Sequence, residues 1–176
     1  MILVLLGTQN NSFHRLLEEI DKNIKKGNIN DRVVVQAGFT KYESNNMEIF
    51  DMVSQEELDK LLDEADLVIT HGGVGSIMGA IRKGKKVIGV PRLKKYGEHV
   101  NDHQLEILDT FKKQGLIVGI NSVEELEQAL KDVENFKLTQ TDDEDKPVNK
   151  IVQLVDKFIQ NNWEKVFVDI VCSCSI

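Results

Sequence analysis

Short unbroken apolar runs alternate with longer segments whose apolar residues recur at helical spacing. Ile2–Leu6, the Val-rich Arg32–Ala37, Met47–Val53, Leu67–Thr70 and Lys86–Val90 read as strands, with Leu116–Val118 as a short sixth. Between them, Ser12–Lys26 carries Phe13, Leu16, Leu17, Ile20 and Ile24 on one helical face and stops at Gly27. Ser54, with Glu57 three residues on, forms a capping box for a helix running to Glu64. A helix over Ser76–Lys83 and a long one over Glu98–Lys113 follow. Ser122 and Glu125 repeat the capping box for a helix to about Val133. Continuously apolar strands are buried on both faces. Their alternation with helices predicts an α/β fold, a Rossmann-like parallel sheet with helices on both faces.

Ligands of such sheets sit outside the carboxyl ends of the strands. Gly7-Thr8, Gly38-Phe39, His71 to Ser76 and the segment from Pro91 all fall there. Thr70-His71-Gly72-Gly73-Val74-Gly75-Ser76 carries the most information, because it is a glycine-rich turn between a strand and a helix. Glycines let the backbone approach a ligand, and the first amides of a helix, with its dipole, favour a phosphate. The second polar loop, Pro91 to Gln104, leaves the next strand, so a ligand crevice between the two is the better reading than a packing turn.

The 22 basic and 29 acidic side chains of the 176 residues leave a net charge of −7, which argues against a general polyanion binder. Locally, Arg82, Lys83, Lys85, Lys86, Arg92, Lys94 and Lys95 place seven cations within fourteen residues. They are either a solvated face or the neighbours of an anion, a nucleotide diphosphate or a phospholipid surface. Both cysteines, Cys172 and Cys174, lie in the last five residues, with no disulfide framework or prenylation signal. Met1–Leu6 is too short for a signal peptide, and no apolar stretch approaches the roughly 20 residues of a spanning helix. A reduced, cytoplasmic protein is expected.

Several motifs fail. Gly79 to Lys86 nearly spells a P-loop but closes a helix and leads into a strand, the reverse of what phosphate wrapping requires. Asp63-Glu64-Ala65-Asp66 copies a helicase box in letters only, and Asp143-Glu144-Asp145 sits in the charged loop Thr139–Asp145. His99 and His103 have the i, i+4 spacing of helical zinc ligands, but no third ligand supports a metal. Pro147 fits the first turn of a last helix, and the apolar tail 163–176 has no assigned structure.

His71-Gly-Gly-x-Gly-Ser76, Gly84-Lys85 before a strand, and Pro91…Glu98-His99…His103-Gln104 resemble the C-terminal, donor-binding domain of glycosyltransferase family 28. The opening Gly7-Thr8…Phe13-x-Arg15-Leu16 and the Pro91–Gln104 block are similar to one branch of it. That branch is the small subunit of two-part bacterial exopolysaccharide and capsule glycosyltransferases, whose eukaryotic counterpart is the soluble subunit of the dolichol-linked N-acetylglucosaminyl transferase. The resemblance implies half of a GT-B fold, a nucleotide-sugar donor domain over 1–162, and a UDP-sugar as substrate, with neither cofactor nor metal. It implies that His71, Gly72, Gly73, Gly75 and Ser76 contact the donor diphosphate, and Gly7 and Thr8 belong to the same donor-binding set. Gln104 is implied to reach sugar hydroxyls, with Glu98, His99 and Asn101 beside it. Gly79 stands where relatives often place a ribose-binding Glu, so the ribose contact departs from the pattern.

A GT-B enzyme needs two such domains, about twice this length. The acceptor domain and its catalytic base are therefore expected from elsewhere, and the resemblance implies their source: a membrane-anchored partner subunit that presents a polyprenyl-diphosphate-linked saccharide and recruits the chain to the inner face of the plasma membrane. The basic segment Arg82–Lys95 is expected beside the donor site, facing headgroups or an acidic partner surface. Two other readings share these motifs: a non-catalytic partner that stimulates an enzyme, and a UDP-binding regulator.

Overall fold

In the computed structural model, which describes residues 1–137, six parallel strands form one sheet in the order β3-β2-β1-β4-β5-β6. The strands are β1 Ile2–Leu5, β2 Val33–Gln36, β3 Glu48–Phe50, β4 Leu67–His71, β5 Lys86–Val90 and β6 Val118–Gly119. The helices are α1 His14–Lys25, α2 Gln55–Glu64, α3 Val74–Arg82, α4 His103–Lys113 and α5 Leu126–Asn135. The register Ile2↔Leu67 to Leu5↔Thr70 joins β1 to β4, and the Thr70 hydroxyl donates to Leu5 O at 3.1 Å across the same seam.

Alternate residues of each strand face opposite sides, which divides the core. Val4, Leu6, Ile69, Ile88 and Val90 pack with Phe13, Leu16, Leu17 and Ile20 of the α1 region and with Leu126, Leu130 and Val133 of α5. On the other face, Gly89 leaves room for Leu108 of α4, whose Cδ2 would lie 2.4 Å from any Cβ there. The predicted α/β class, strand series and first capping box are therefore found. Ser54 accepts from Glu57 N while the Glu57 carboxylate accepts from Ser54 N, at 3.2 and 2.9 Å.

Three predicted boundaries are corrected. The helix expected from Glu98 begins at His103, because the chain first makes a 3₁₀ turn over Lys94–Tyr96 and Gly97 takes the left-handed region at φ 71°. The second capping box does not form. A 3₁₀ turn over Val123–Glu125 precedes α5, and Glu125 N donates to the backbone oxygen of Ser122 at 3.1 Å instead of to its hydroxyl. Helix α3 starts at Val74, two residues early, which draws Gly75 and Ser76 into its first turn. The expected helix from Pro147, the charged loop and the tail 163–176 lie outside the described residues. Among the described residues no helix is long and apolar enough to cross a membrane.

Candidate functional site

Helices α1 and α3 leave adjacent strands, β1 and β4, for opposite halves of the sheet. The loops that follow these two strands therefore part above the seam, the place where open α/β sheets bind ligands. Gly7 turns the chain after β1 with φ 76°, and a Cβ there would lie 2.5 Å from His71 Nε2. A Cβ at Gly73 would lie 2.2 Å from His71 Cε1, so the imidazole is held between two glycines. Gly73 N donates to His71 Nδ1 at 3.1 Å, which places the ring proton on Nε2, toward Gly7.

Beyond Gly73 the helix opens. Ile77 N is the first amide to close a turn, onto Gly73 O at 3.2 Å, and the N-cap supplies no side-chain acceptor. The amides of Val74, Gly75 and Ser76 thus have no intrahelical partner, at the positive end of the α3 dipole. Gly75 is exposed, Ser76 is half-buried, and a Cβ built at Gly75 meets nothing within 4 Å. Three amides without partners at a helix start, with open space at Gly75, can receive an anion.

The loop after β5 is tied to the loop after β1. Arg92, 1% exposed, donates to Leu6 O and Asn11 O, each at 2.7 Å, and lies over the Phe13 ring. Arg15 makes two 3.0 Å contacts to the Glu98 carboxylate, while Tyr96 covers its guanidinium 4.3 Å away. Glu98 also accepts from Leu93 N at 3.0 Å and is 4% exposed, so its carboxylate is committed inside the protein. The sequence did not single out this lattice of Arg92, Arg15, Glu98 and Tyr96; its trace was the pairing of an Arg in the opening block with Arg and Glu in the second.

Of the predicted residues, Gly7, His71, Gly72, Gly73, Gly75 and Ser76 meet at the seam. Thr8 is exposed just beyond it. His99 is buried, 3.3 Å from the Gln9 amide, and its ring meets that of His103 edge-on at 4.8 Å. Asn101 Oδ1 joins them, 3.1 Å from His99 Nδ1 and in contact with His103 Nδ1. The two histidines pair through a loop and a helix start, not along one helical face. Among the described residues no group of three His, Cys, Asp or Glu is arranged to hold a metal. Gln104 is wholly buried and bonds Gly72 N and Arg92 N.

The basic segment does not form one surface beside the crevice. Lys83 binds Asp63 at 2.7 Å, Lys85 binds Asp63 O at 2.8 Å, and Lys86 binds Val133 O and Glu134 O at 2.9 and 2.8 Å. These lysines lie at the start of β5, whereas Lys94 and Lys95 follow its carboxyl end and Arg92 is buried. A strand separates what the sequence places together.

The fold is Rossmann-like, one half of a GT-B glycosyltransferase fold, with the candidate site at the carboxyl edge of its sheet. The chain belongs to the glycosyltransferase family 28 C-terminal domain family, whose pattern it matches over residues 1–158. It is similar to the UDP-N-acetylglucosamine transferase subunit ALG13 of Kluyveromyces lactis, 35% identical over 100 residues, 56% of this chain and 49% of that one. The protein of the same name from Candida albicans is 27% identical over 125 residues, covering 71% and 39%. The chain thus spans half or less of the length of these relatives. Among solved structures it resembles MurG of Acinetobacter baumannii, with TM-score 0.55, 21% identity and coverage of 78% and 42%. UGT71G1 of Medicago truncatula, complexed with UDP-glucose, gives TM-score 0.54 and 17% identity, with coverage of 92% and 36%.

Proposed function

We propose that this chain is the donor-binding part of a UDP-sugar glycosyltransferase that acts together with a membrane-anchored partner subunit. The observation that carries the reading is the uncapped N-terminus of α3 at the β1–β4 seam, with open space over Gly75. The donor diphosphate lies on the Val74, Gly75 and Ser76 amides, with the Ser76 hydroxyl and the Nε2 edge of His71 beside them. As the sugar leaves, negative charge grows on the departing diphosphate, and the fixed amides and helix dipole stabilise it without a metal. The relatives named as UDP-N-acetylglucosamine transferase subunits support N-acetylglucosamine as the sugar and an activity shared between chains.

The base that takes the acceptor proton belongs to the partner, which presents a polyprenyl-diphosphate-linked saccharide. The two sequence blocks that resemble bacterial two-part enzymes favour exopolysaccharide or capsule assembly as the setting. Phe39, Phe50, Met52, Tyr96 and Val100 are the large apolar side chains exposed among the described residues. All five stand at or beyond the carboxyl ends of β2, β3 and β5. An apolar rim on the site's own edge supports coverage by a second domain or subunit. The chain therefore works at the cytoplasmic face of a membrane through its partner.

Product formation by the partner alone, by the pair, and by the pair carrying Ser76→Ala tests this. Losing a charge-assisted hydrogen bond should weaken UDP by about 1–2 kcal/mol and lower transfer accordingly. Full activity of the partner alone would make the chain a stimulator. UDP binding with no preference for any UDP-sugar, and no transfer, would make it a regulator.

A further inference from the structure

We infer that Gln36 is a positioning residue of the donor site: its amide orients the Gly7–Thr8 peptide so that the Thr8 N–H faces the crevice. This rests on the donor-site reading above. Gln36 closes β2, an otherwise apolar strand with every residue buried, and is itself 7% exposed. A buried amide has to find its partners inside the protein. Gln36 Nε2 donates to Gly7 O at 3.1 Å and to Asp51 O at 3.3 Å. Both partners are carbonyls, so the nitrogen must face them and the amide orientation is fixed.

The consequence lies in the next peptide bond. Gly38 closes the same niche, since a Cβ there would lie 2.3 Å from Gly7 O. The Gly7 carbonyl therefore points toward β2. No described peptide bond is cis, and in a planar trans peptide the C=O and N–H point opposite ways. The Thr8 N–H thus points away from β2, to the side of β1 where β4 stands, followed by His71 and the open N-terminus of α3. Thr8 is exposed, and its amide has no acceptor among the described residues. Gln36 in this way adds one N–H, from across the seam, to the three amides of Val74, Gly75 and Ser76, without touching the ligand itself. Gly38 N also donates to Asp51 O at 2.7 Å, so the loops after β1, β2 and β3 are held together at this one side chain.

The test uses the full chain with Gln36→Met, which keeps the length of the side chain and removes both donors, and Asn23→Leu as the contrast. Asn23 is a wholly buried amide near the far end of α1, bonded to Glu19 O at 2.8 Å and to Asn28 Nδ2 at 2.9 Å. Both changes should lower the melting temperature. Gln36→Met should also displace the Gly7 carbonyl-carbon resonance and weaken UDP roughly tenfold or more, the loss of one hydrogen bond to a charged oxygen. Asn23→Leu should leave UDP affinity unchanged. In the unmutated chain, UDP should shift the Thr8 amide resonance. A Thr8 amide that stays still while UDP binds would overturn the inference, and this measurement decides even where Gln36→Met does not fold. Undiminished UDP affinity in Gln36→Met, or an equal loss in Asn23→Leu, would overturn it too, since either leaves Gln36 a structural role only. If the unmutated chain binds no UDP, the donor-site reading fails, and the Gly7 carbonyl resonance in Gln36→Met still decides whether Gln36 orients this peptide.

Discussion

Replacing Gly75 by alanine should move stability and binding in opposite directions. Gly75 sits in the first turn of α3 with unstrained φ, and a Cβ there touches nothing within 4 Å. In the free protein the change removes the backbone entropy of a helical glycine, a gain of up to about 1 kcal/mol. For a chain of this size that raises the melting temperature by about 2–4 °C. In the complex the methyl group occupies the space over the first α3 amides. Losing one hydrogen bond to a charged oxygen costs about 1.5–3 kcal/mol. At 1.4 kcal/mol per factor of ten, UDP should bind roughly 10- to 150-fold more weakly. Calorimetry with UDP and thermal melting of the same samples measure both. Gly73→Ala is the contrast, since its Cβ would lie 2.2 Å from the buried His71 ring and both quantities should fall. Unchanged UDP affinity in a stabilised Gly75→Ala protein would refute a diphosphate resting on this turn.

Glu98→Gln should destabilise the fold by about 1.5–3 kcal/mol by breaking the paired contacts to Arg15, while the preference among UDP-sugars stays as it was; altered sugar preference would return Glu98 to the ligand. Burial raises the Asp21 carboxyl, but hydrogen bonds from Asn46, Lys25 and Ser44 outweigh it and bring the pKa from 3.8 to about 2. Because the folded value lies below the unfolded one, this stability is present above pH 4 and lost as pH falls toward 2. The difference amounts to about 2 kcal/mol. Denaturation midpoints between pH 2 and 6 should show this slope, and Asp21→Asn should flatten it. Arg92→Lys should lower the melting temperature by several degrees, because an ammonium cannot span the Leu6 and Asn11 carbonyls as a guanidinium fork does.

The strands were legible because parallel strands buried on both faces read as unbroken apolar runs. Val33–Gln36 and Leu67–His71 show this, with every residue buried. The glycine-rich turn after β4 was legible because its glycines are demanded by close approach, at Gly7 and Gly73 against one histidine. What the sequence concealed was long-range polar pairing. Arg92 lay among lysines and read as one more surface cation, although it is buried against carbonyls 81 and 86 residues away. The false helix start at Glu98 has the same origin, since the bonds from Arg15 and Leu93 hold Glu98 in a loop that local propensity would have made helical. The expected capping box at Ser122 failed because an i to i+3 backbone bond satisfied the same donor first.

The most direct test is a titration of the isotope-labelled full chain with UDP, followed amide by amide. The account predicts the largest shifts at Val74, Gly75 and Ser76, with smaller ones at Gly7 and His71 and none at Lys83–Lys86. Saturable binding that leaves Val74–Ser76 unmoved, or no binding of UDP at all with or without the partner subunit, would contradict it.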